Sequence, residues 1–167
     1  TFLLIARPEN ILEVGTAVGF SSILMAQYAP KPCHITTIEN YGKRITEARK
    51  NIPASGFADI IDLIEGDAAD VLKTLGGPYD MIFMDAAKGQ YINFLPEVKR
   101  LMRPGSILIS DNVLQDGDII QSRFVVERRD RTIHKRMRDY LYTLKHDDEL
   151  STSIIPLGDG ITISVKR

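Results

Sequence analysis

Apolar residues fall along this chain in two alternating textures: short runs rich in β-branched side chains, and longer stretches where they recur every three or four positions. The runs are NILEVG (10–15), HITTIE (34–39), IIDLIEG (60–66), YDMIFMDA (79–86), GSILISDN (105–112), STSIIPLG (151–158) and GITISVKR (160–167), and each predicts a strand. Helical spacing predicts helices over Ser21–Tyr28, Arg44–Ile52, Ala69–Leu75 and Tyr91–Met102, the last with Phe94, Leu95, Val98, Leu101 and Met102 on one face. A longer charged helix is predicted from about Asp118 to Lys145, and RPGS after Met102 reads as a helix stop and turn. The chain begins on Thr1, within residues that already read as a helix, so an upstream segment is expected.

Five strands alternate with four helices, then a fifth helix precedes two strands joined at Gly158-Asp159-Gly160, a sequence suited to a hairpin. This order predicts a doubly wound, mostly parallel α/β sheet of seven strands. The closing hairpin forces one terminal strand to run antiparallel. Nothing resembles a linker, repeat or low-complexity segment, so residues 1–167 read as one domain.

Composition changes this picture little. Of 167 residues, 44% are hydrophobic and 26% charged, and 21 Lys and Arg against 22 Asp and Glu give no global attraction to nucleic acid or membrane. One cysteine, Cys33, excludes a disulfide framework or a Cys-based zinc site within the chain, in keeping with a reducing cytoplasm. No apolar run approaches the roughly 18–20 residues that span a bilayer.

The chemistry gathers at the carboxyl ends of the predicted strands. ILEVGTAVGFSS puts Glu13, Gly15 and Gly19 where the first strand ends, with a helix opening at Ser21 or Ser22. Gly15 permits a tight turn and Gly19 a close backbone approach by a ligand, in the crevice where open α/β sheets bind ligands. The G-x-x-x-G spacing differs from the dinucleotide pattern G-x-G-x-x-G and suits a smaller anion, such as an amino-acid carboxylate. The next strand ends on Glu39, able to accept ribose hydroxyls; the third leads to Asp67 and Ala68, able to bracket an adenine. The plainer reading is a tight turn, a serine N-cap and a solvated strand end. Three consecutive strand ends together favour one nucleoside site.

The stretches EVGTAVGFSS, IEN, GDAADVL, YDMIFMDAAKGQY and ILISDNVL, in this order, resemble the S-adenosylmethionine-dependent O-methyltransferases of the caffeoyl-CoA and catechol type, and most of all the bacterial branch that includes the tRNA 5-hydroxyuridine methyltransferases. The resemblance covers Ile11 to Arg167. It implies a Rossmann-like class I methyltransferase fold and a homodimer. It also implies that Glu13 and Gly15 line the methionine side of the cofactor, Ser21 reaches its carboxylate, Glu39 binds ribose, and Asp67 and Ala68 lie at the adenine. The family carries helices before its first strand, and here almost nothing precedes it.

Asp85 ends the fourth strand; Asp111 and Asn112 end the fifth. Two carboxylates and an amide oxygen suit a hard cation, Mg²⁺, Mn²⁺ or Ca²⁺, that keeps sites open for substrate oxygens. Taken alone, "SDN" is more often a turn; the resemblance makes Asp85, Asp111 and Asn112 the metal ligands, with Asp85 also beside the cofactor. Lys88, three residues past Asp85, is an ordinary loop lysine or, as the resemblance implies, the base that takes the proton of the attacking hydroxyl. Such a lysine works only where its neutral form is favoured, as beside a dication.

RFVVERRDRTIHKRMRDY carries Arg123, Arg128, Arg129, Arg131, Lys135, Arg136 and Arg138. It reads either as a stripe for a polyanionic substrate or as a solvated helix laced with pairs such as Glu127–Arg131. The expected acceptor is 5-hydroxyuridine in a tRNA anticodon, with a small catechol or a hydroxycinnamoyl-CoA ester as the alternative. Tyr91 is placed either stacked on the acceptor ring or in the core with Phe94. Two other classes compete: a nicotinamide-dependent oxidoreductase, disfavoured by the glycine spacing, and a non-catalytic RNA-binding module, disfavoured by Asp85, Lys88, Asp111 and Asn112 occurring together.

Overall fold

A computed structural model describes residues 1–114, 119, 127 and 131–167. Its elements, in order, are α1 (Phe2–Ala6), β1 (Asn10–Val14), α2 (Phe20–Tyr28), β2 (His34–Glu39), α3 (Gly42–Ala54), β3 (Ile61–Glu65), α4 (Ala68–Thr74), β4 (Tyr79–Met84), a 3₁₀ turn at Lys88–Gln90, α5 (Tyr91–Leu101), β5 (Met102–Ser110), α6 (Arg131–His146), β6 (Leu150–Ile155) and β7 (Ile161–Lys166). All seven expected strands form one sheet in the order β3-β2-β1-β4-β5-β7-β6. Strands β1 to β5 pair in parallel, and the C-terminal β7 runs antiparallel to both of its neighbours. The chain order reverses between β1 and β4, which opens a crevice above their carboxyl ends.

Alternation along the strands sorts side chains to two helical layers. Leu12, Val14, Ile82, Met84 and Leu108 pack with Leu72 of α4, with Leu95 and Val98 of α5 and with Met137 of α6. On the other face Ile11, Ile35, Met81 and Ile109 pack with Met25 and Ala26 of α2 and with Ala48 and Ile52 of α3. Below the crevice, at the amino end of β4, Asp80 accepts hydrogen bonds from the backbone N–H groups of Glu9 and Asn10, each 2.9 Å, and pairs with Arg103. Burial alone would raise the Asp80 pKa, but these donors hold it below the usual carboxylate range.

Two expectations change and a third is only partly covered. The RPGS turn lies inside β5 rather than before it: Tyr79 pairs with Met102 and Met81 with Ile107, so β5 bulges outward there around Gly105 at φ +88°. Ser106 Oγ holds the bulge, accepting from Arg103 N–H at 2.9 Å and donating to the Tyr79 carbonyl at 2.7 Å. Helix α2 is N-capped by Gly19 with no side-chain cap, not by Ser21 or Ser22. The charged helix is described from Arg131 to His146, and its expected start at Asp118 lies outside the described residues, as do Arg123, Arg128 and Arg129. No helix among the described residues is long and apolar enough to cross a membrane.

Candidate active site

A cleft of about 710 Å³, within the range of small-molecule and cofactor sites, opens above the carboxyl ends of β1, β2 and β4. Its wall includes Gly15, Ala17, Glu39, Arg44, Asp67, Ala68, Asp85, Lys88, Phe94 and Asn112. Gly15, at φ +109°, crosses so close to the end of β4 that a Cβ would lie 2.1 Å from the Asp85 carbonyl oxygen. Only glycine fits this crossing, and it fixes where Asp85 begins.

Glu39 is nearly buried, and its carboxylate shapes the cleft wall. Oε2 accepts from Ala17 N–H at 2.9 Å; Oε1 accepts from Asn40 and Tyr41 N–H at 3.0 and 2.9 Å. Asp67 N-caps α4 through Ala69 N–H at 2.8 Å, so it and Ala68 sit together on the wall.

Glu13, Gly19 and Ser21 are not in the cleft wall. Glu13 shares its strand face with Ile11 and points under α2, fully buried. Its Oε2 accepts from Ser22 and Thr37, the latter at 2.5 Å, and Thr37 also meets Thr16 Oγ1 at 2.6 Å, so this chain ties the glycine loop to β2 and α2. Burial pushes the Glu13 pKa up against the hydroxyls of Ser21, Ser22 and Thr37, and among the described residues Oε1 has no hydrogen-bond partner. Gly19 serves packing rather than ligand approach: a Cβ there would meet Ile52 Cγ1 of α3 at 3.3 Å.

At the other end of the cleft, Lys88 Nζ lies 2.8 Å from both Asp85 Oδ1 and Asn112 Oδ1 and 3.4 Å from the Asp111 carbonyl oxygen. An ammonium thus stands amid oxygens from the ends of β4 and β5. The Asp111 carboxylate accepts from Asn112 N–H at 2.7 Å, with Asn112 held in the left-handed region at φ +53°. Among the described residues no three His, Cys, Asp or Glu side chains gather as a metal cage. One carboxylate, an amide oxygen and a backbone carbonyl converge on this ammonium, and the Asp111 carboxylate lies outside the cleft wall, bonded to Asn112 N–H. A hard oxygen set of this kind fits a divalent ion that takes few protein ligands.

Of the two places open to Tyr91 it takes the core, and Phe94 is buried in the same core while also reaching the cleft wall. Tyr91 is fully buried, edge-on to Tyr140 with centroids 5.5 Å apart. The Tyr91 hydroxyl lies 2.9 Å from the Met84 carbonyl, 3.1 Å from the Asp111 carbonyl and 3.1 Å from Lys88 Nζ, beneath the oxygen cluster. Burial, with Asp85 and Asp111 nearby, raises its pKa far above the usual tyrosine range, so the hydroxyl stays protonated. Sequence reasoning missed this hydroxyl, Arg44 and the Asp159 carboxylate near Asn112.

Basic residues of α6 serve several uses, and Arg138 and Lys145 donate to the backbone carbonyls of Ile119 and Thr152. Lys135 pairs with Asp139 at 2.6 Å, the solvated i,i+4 arrangement. Arg136 instead reaches the Gly89 carbonyl at 3.3 Å, which brings α6 against the turn that carries Lys88.

A family model described as O-methyltransferase matches residues 2–167. A catechol O-methyltransferase of Niastella koreensis is 38% identical over 120 residues, covering 70% of this chain and 54% of the relative; the chain spans about half the length of such curated relatives. A Staphylococcus aureus protein provisionally named a caffeoyl-CoA O-methyltransferase superposes with a TM-score of 0.92 at 33% identity, over 99% of this chain and 79% of that one. A Bacillus cereus O-methyltransferase in complex with SAH superposes at 0.89 with 26% identity, over 99% and 77%. Sheet order, cleft and sequence therefore agree: this chain belongs to the O-methyltransferase family.

Proposed function

We propose that the protein is a divalent-cation-dependent O-methyltransferase that moves the methyl group of S-adenosylmethionine to a ring hydroxyl flanked by a second oxygen. The observation that carries this reading is the Lys88 ammonium, held by Asp85, Asn112 and the Asp111 backbone at one end of a nucleoside-sized cleft. Solved neighbours bound to SAH or SAM support the cofactor.

S-Adenosylmethionine would supply an electrophilic methyl group on a sulfonium. The two oxygens of Glu39 offer about four acceptor sites, of which backbone N–H groups take three, so the same carboxylate can build the wall and accept a ribose hydroxyl. Asp67 and Ala68 bracket the adenine, and the Gly15–Ala17 backbone faces the methionine end. Glu13, Ser21 and Gly19 act from behind, by fixing the loop. Asp85, Asp111 and Asn112 would hold a divalent cation, which acidifies a chelating hydroxyl and fixes its approach. With a dication held beside it, which favours the neutral amine, Lys88 would take the hydroxyl proton at Nζ and become the ammonium, and the Tyr91 hydroxyl, 3.1 Å away, holds Nζ in place.

Two acceptors meet the chelation requirement. The names of the relatives support a catechol or a caffeoyl-CoA-type ester. The Arg136 guanidinium of α6 against the Lys88 turn favours a polyanion, which a coenzyme A ester or the 5-hydroxyuridine of a tRNA anticodon would both satisfy. Methyl transfer from labelled S-adenosylmethionine, run against catechol, a hydroxycinnamoyl-CoA ester and tRNA with unmethylated 5-hydroxyuridine, separates them. Label in at least one acceptor is expected, and the labelled one is the substrate class. Label in none of them, with cofactor bound, would refute the chelating ring hydroxyl as the target.

A further inference from the structure

The turn between β6 and β7 reaches across the sheet to Asn112. Because β7 lies beside β5, the Gly158-Asp159-Gly160 turn meets the carboxyl end of β5. Val113 N–H donates to the Gly160 carbonyl at 2.9 Å and Leu114 N–H to the Asp159 carbonyl at 2.8 Å. Gly160 packs so tightly that a Cβ would sit 2.3 Å from Leu114 Cγ. The backbone of the turn is thus fastened to the segment just after Asn112, independently of any side chain.

On this platform the Asp159 carboxylate accepts from Asn112 Nδ2 at 3.1 Å. On its other side, Asn112 Oδ1 accepts from Lys88 Nζ at 2.8 Å. An amide has one acceptor end and one donor end, and the two neighbours demand the same orientation: a carboxylate can face only the NH₂, an ammonium only the oxygen. We infer that Asp159 is a positioning residue that holds the Asn112 amide oxygen toward the cation site, so that the β6–β7 turn is a third structural support of that site, with β4 and β5. This rests on the proposed divalent-cation reading. Groups that orient a ligand from behind commonly set metal affinity as strongly as a weak ligand does.

Without Asp159, Asn112 can turn its NH₂ toward the cation, and a donor facing a dication repels it. The charge of Asp159 would also favour a nearby cation from a distance, and two substitutions separate the effects. Asp159→Asn removes the charge but keeps an oxygen that can accept from Asn112; Asp159→Ala removes both. Since the backbone carbonyl makes the bond to Leu114, both variants should retain the parent fold by circular dichroism.

The experiment is Mn²⁺ binding followed by electron paramagnetic resonance, with the side-chain NH₂ signals of Asn112 followed by NMR in metal-free protein. Asp159→Ala should weaken Mn²⁺ about tenfold or more and shift the Asn112 signals, whereas Asp159→Asn should stay within about threefold of the parent. Equal weakening in both variants would assign the effect to charge and overturn the positioning role. Parent-like binding and signals in Asp159→Ala would overturn it too, with the cation reading intact. If Asp85→Asn leaves Mn²⁺ binding unchanged, the cation reading itself fails and takes this inference with it.

Discussion

Gly15→Ala is the sharpest perturbation the fold offers, because one methyl group strains the backbone and strikes Asp85. The residue sits at φ +109°, where an L side chain costs on the order of 1–3 kcal/mol. Its Cβ would lie 2.1 Å from the Asp85 carbonyl oxygen and 2.7 Å from the carbonyl carbon, so the end of β4 must retreat by more than 1 Å to restore ordinary contact at 3.4 Å. Overpacking of this kind adds about 1–3 kcal/mol. The expected loss, roughly 2–6 kcal/mol, corresponds to a fall in Tm of about 4–24 °C for a domain of this size. What moves is the backbone of Asp85, and a 1 Å misplacement at a reacting centre costs about 100-fold in rate. Thermal unfolding and methyl transfer would be measured together, with Gly105→Ala as the control. Gly105 has φ +88° but open space around its would-be Cβ, so it isolates backbone strain. Gly15→Ala should lose more stability than Gly105→Ala and should alone lose turnover. Equal Tm shifts with parent-like turnover in both variants would refute the claim that Gly15 sets the position of Asp85.

Other residues give further tests. Tyr91→Phe keeps the ring against Tyr140 but removes a buried hydroxyl, at a cost of about 1–3 kcal/mol; kcat should fall while cofactor affinity, read by calorimetry, holds, and an unchanged kcat would remove Tyr91 from the account. Glu39→Ala should weaken cofactor binding without weakening Mn²⁺ binding; cofactor affinity equal to the parent's would undo the ribose assignment. Asp80 and Asp147 are both held below the usual carboxylate range in the fold, with burial opposing and hydrogen bonds prevailing: backbone N–H groups and Arg103 act at Asp80, Lys99 and Glu149 N–H at Asp147. Their stabilisation is therefore present above the unfolded carboxylate pKa of about 3.9 and lost as pH falls through the lower folded values. Asp80→Asn should destabilise at pH 7 and converge with the parent under acid conditions; a constant difference across pH would contradict this. Glu13 has the opposite sign, since burial raises its pKa and costs stability above the unfolded value. Glu13→Gln should gain on the parent as pH rises from 4 to 8, and a gain confined to low pH would reverse the assignment.

The central strands β1, β2 and β4 were legible because parallel strands covered on both faces must be apolar or β-branched along most of their length. Strands β6 and β7 showed instead through β-branched residues flanking a glycine turn. Against such runs the polar residues at the carboxyl ends of β1 to β5 stood out, and Gly15, Glu39, Asp67, Ala68, Asp85, Lys88 and Asn112 do share one cleft. Glu13 went astray although its parity was readable: it alternates with Leu12 and Val14 and so faces the layer of Ile11, away from the cleft. The packing of Gly19 on Ile52 and the burial of Tyr91 against Tyr140 depend on how helices dock, which periodicity within one helix does not encode. Asp159 was invisible as a site residue because 47 positions separate it from Asn112. Only the antiparallel insertion of β7 beside β5 brings them together.

The central claim is that methyl transfer at this site requires a divalent cation held by Asp85, Asp111 and Asn112. The direct measurement is transfer from labelled S-adenosylmethionine after exhaustive chelation, followed by titration with Mg²⁺, in the parent and in Asp85→Asn. The account predicts no transfer after chelation, recovery with Mg²⁺ in the parent, and no recovery in the variant while cofactor still binds. Equal rates with chelator and with Mg²⁺ would contradict it.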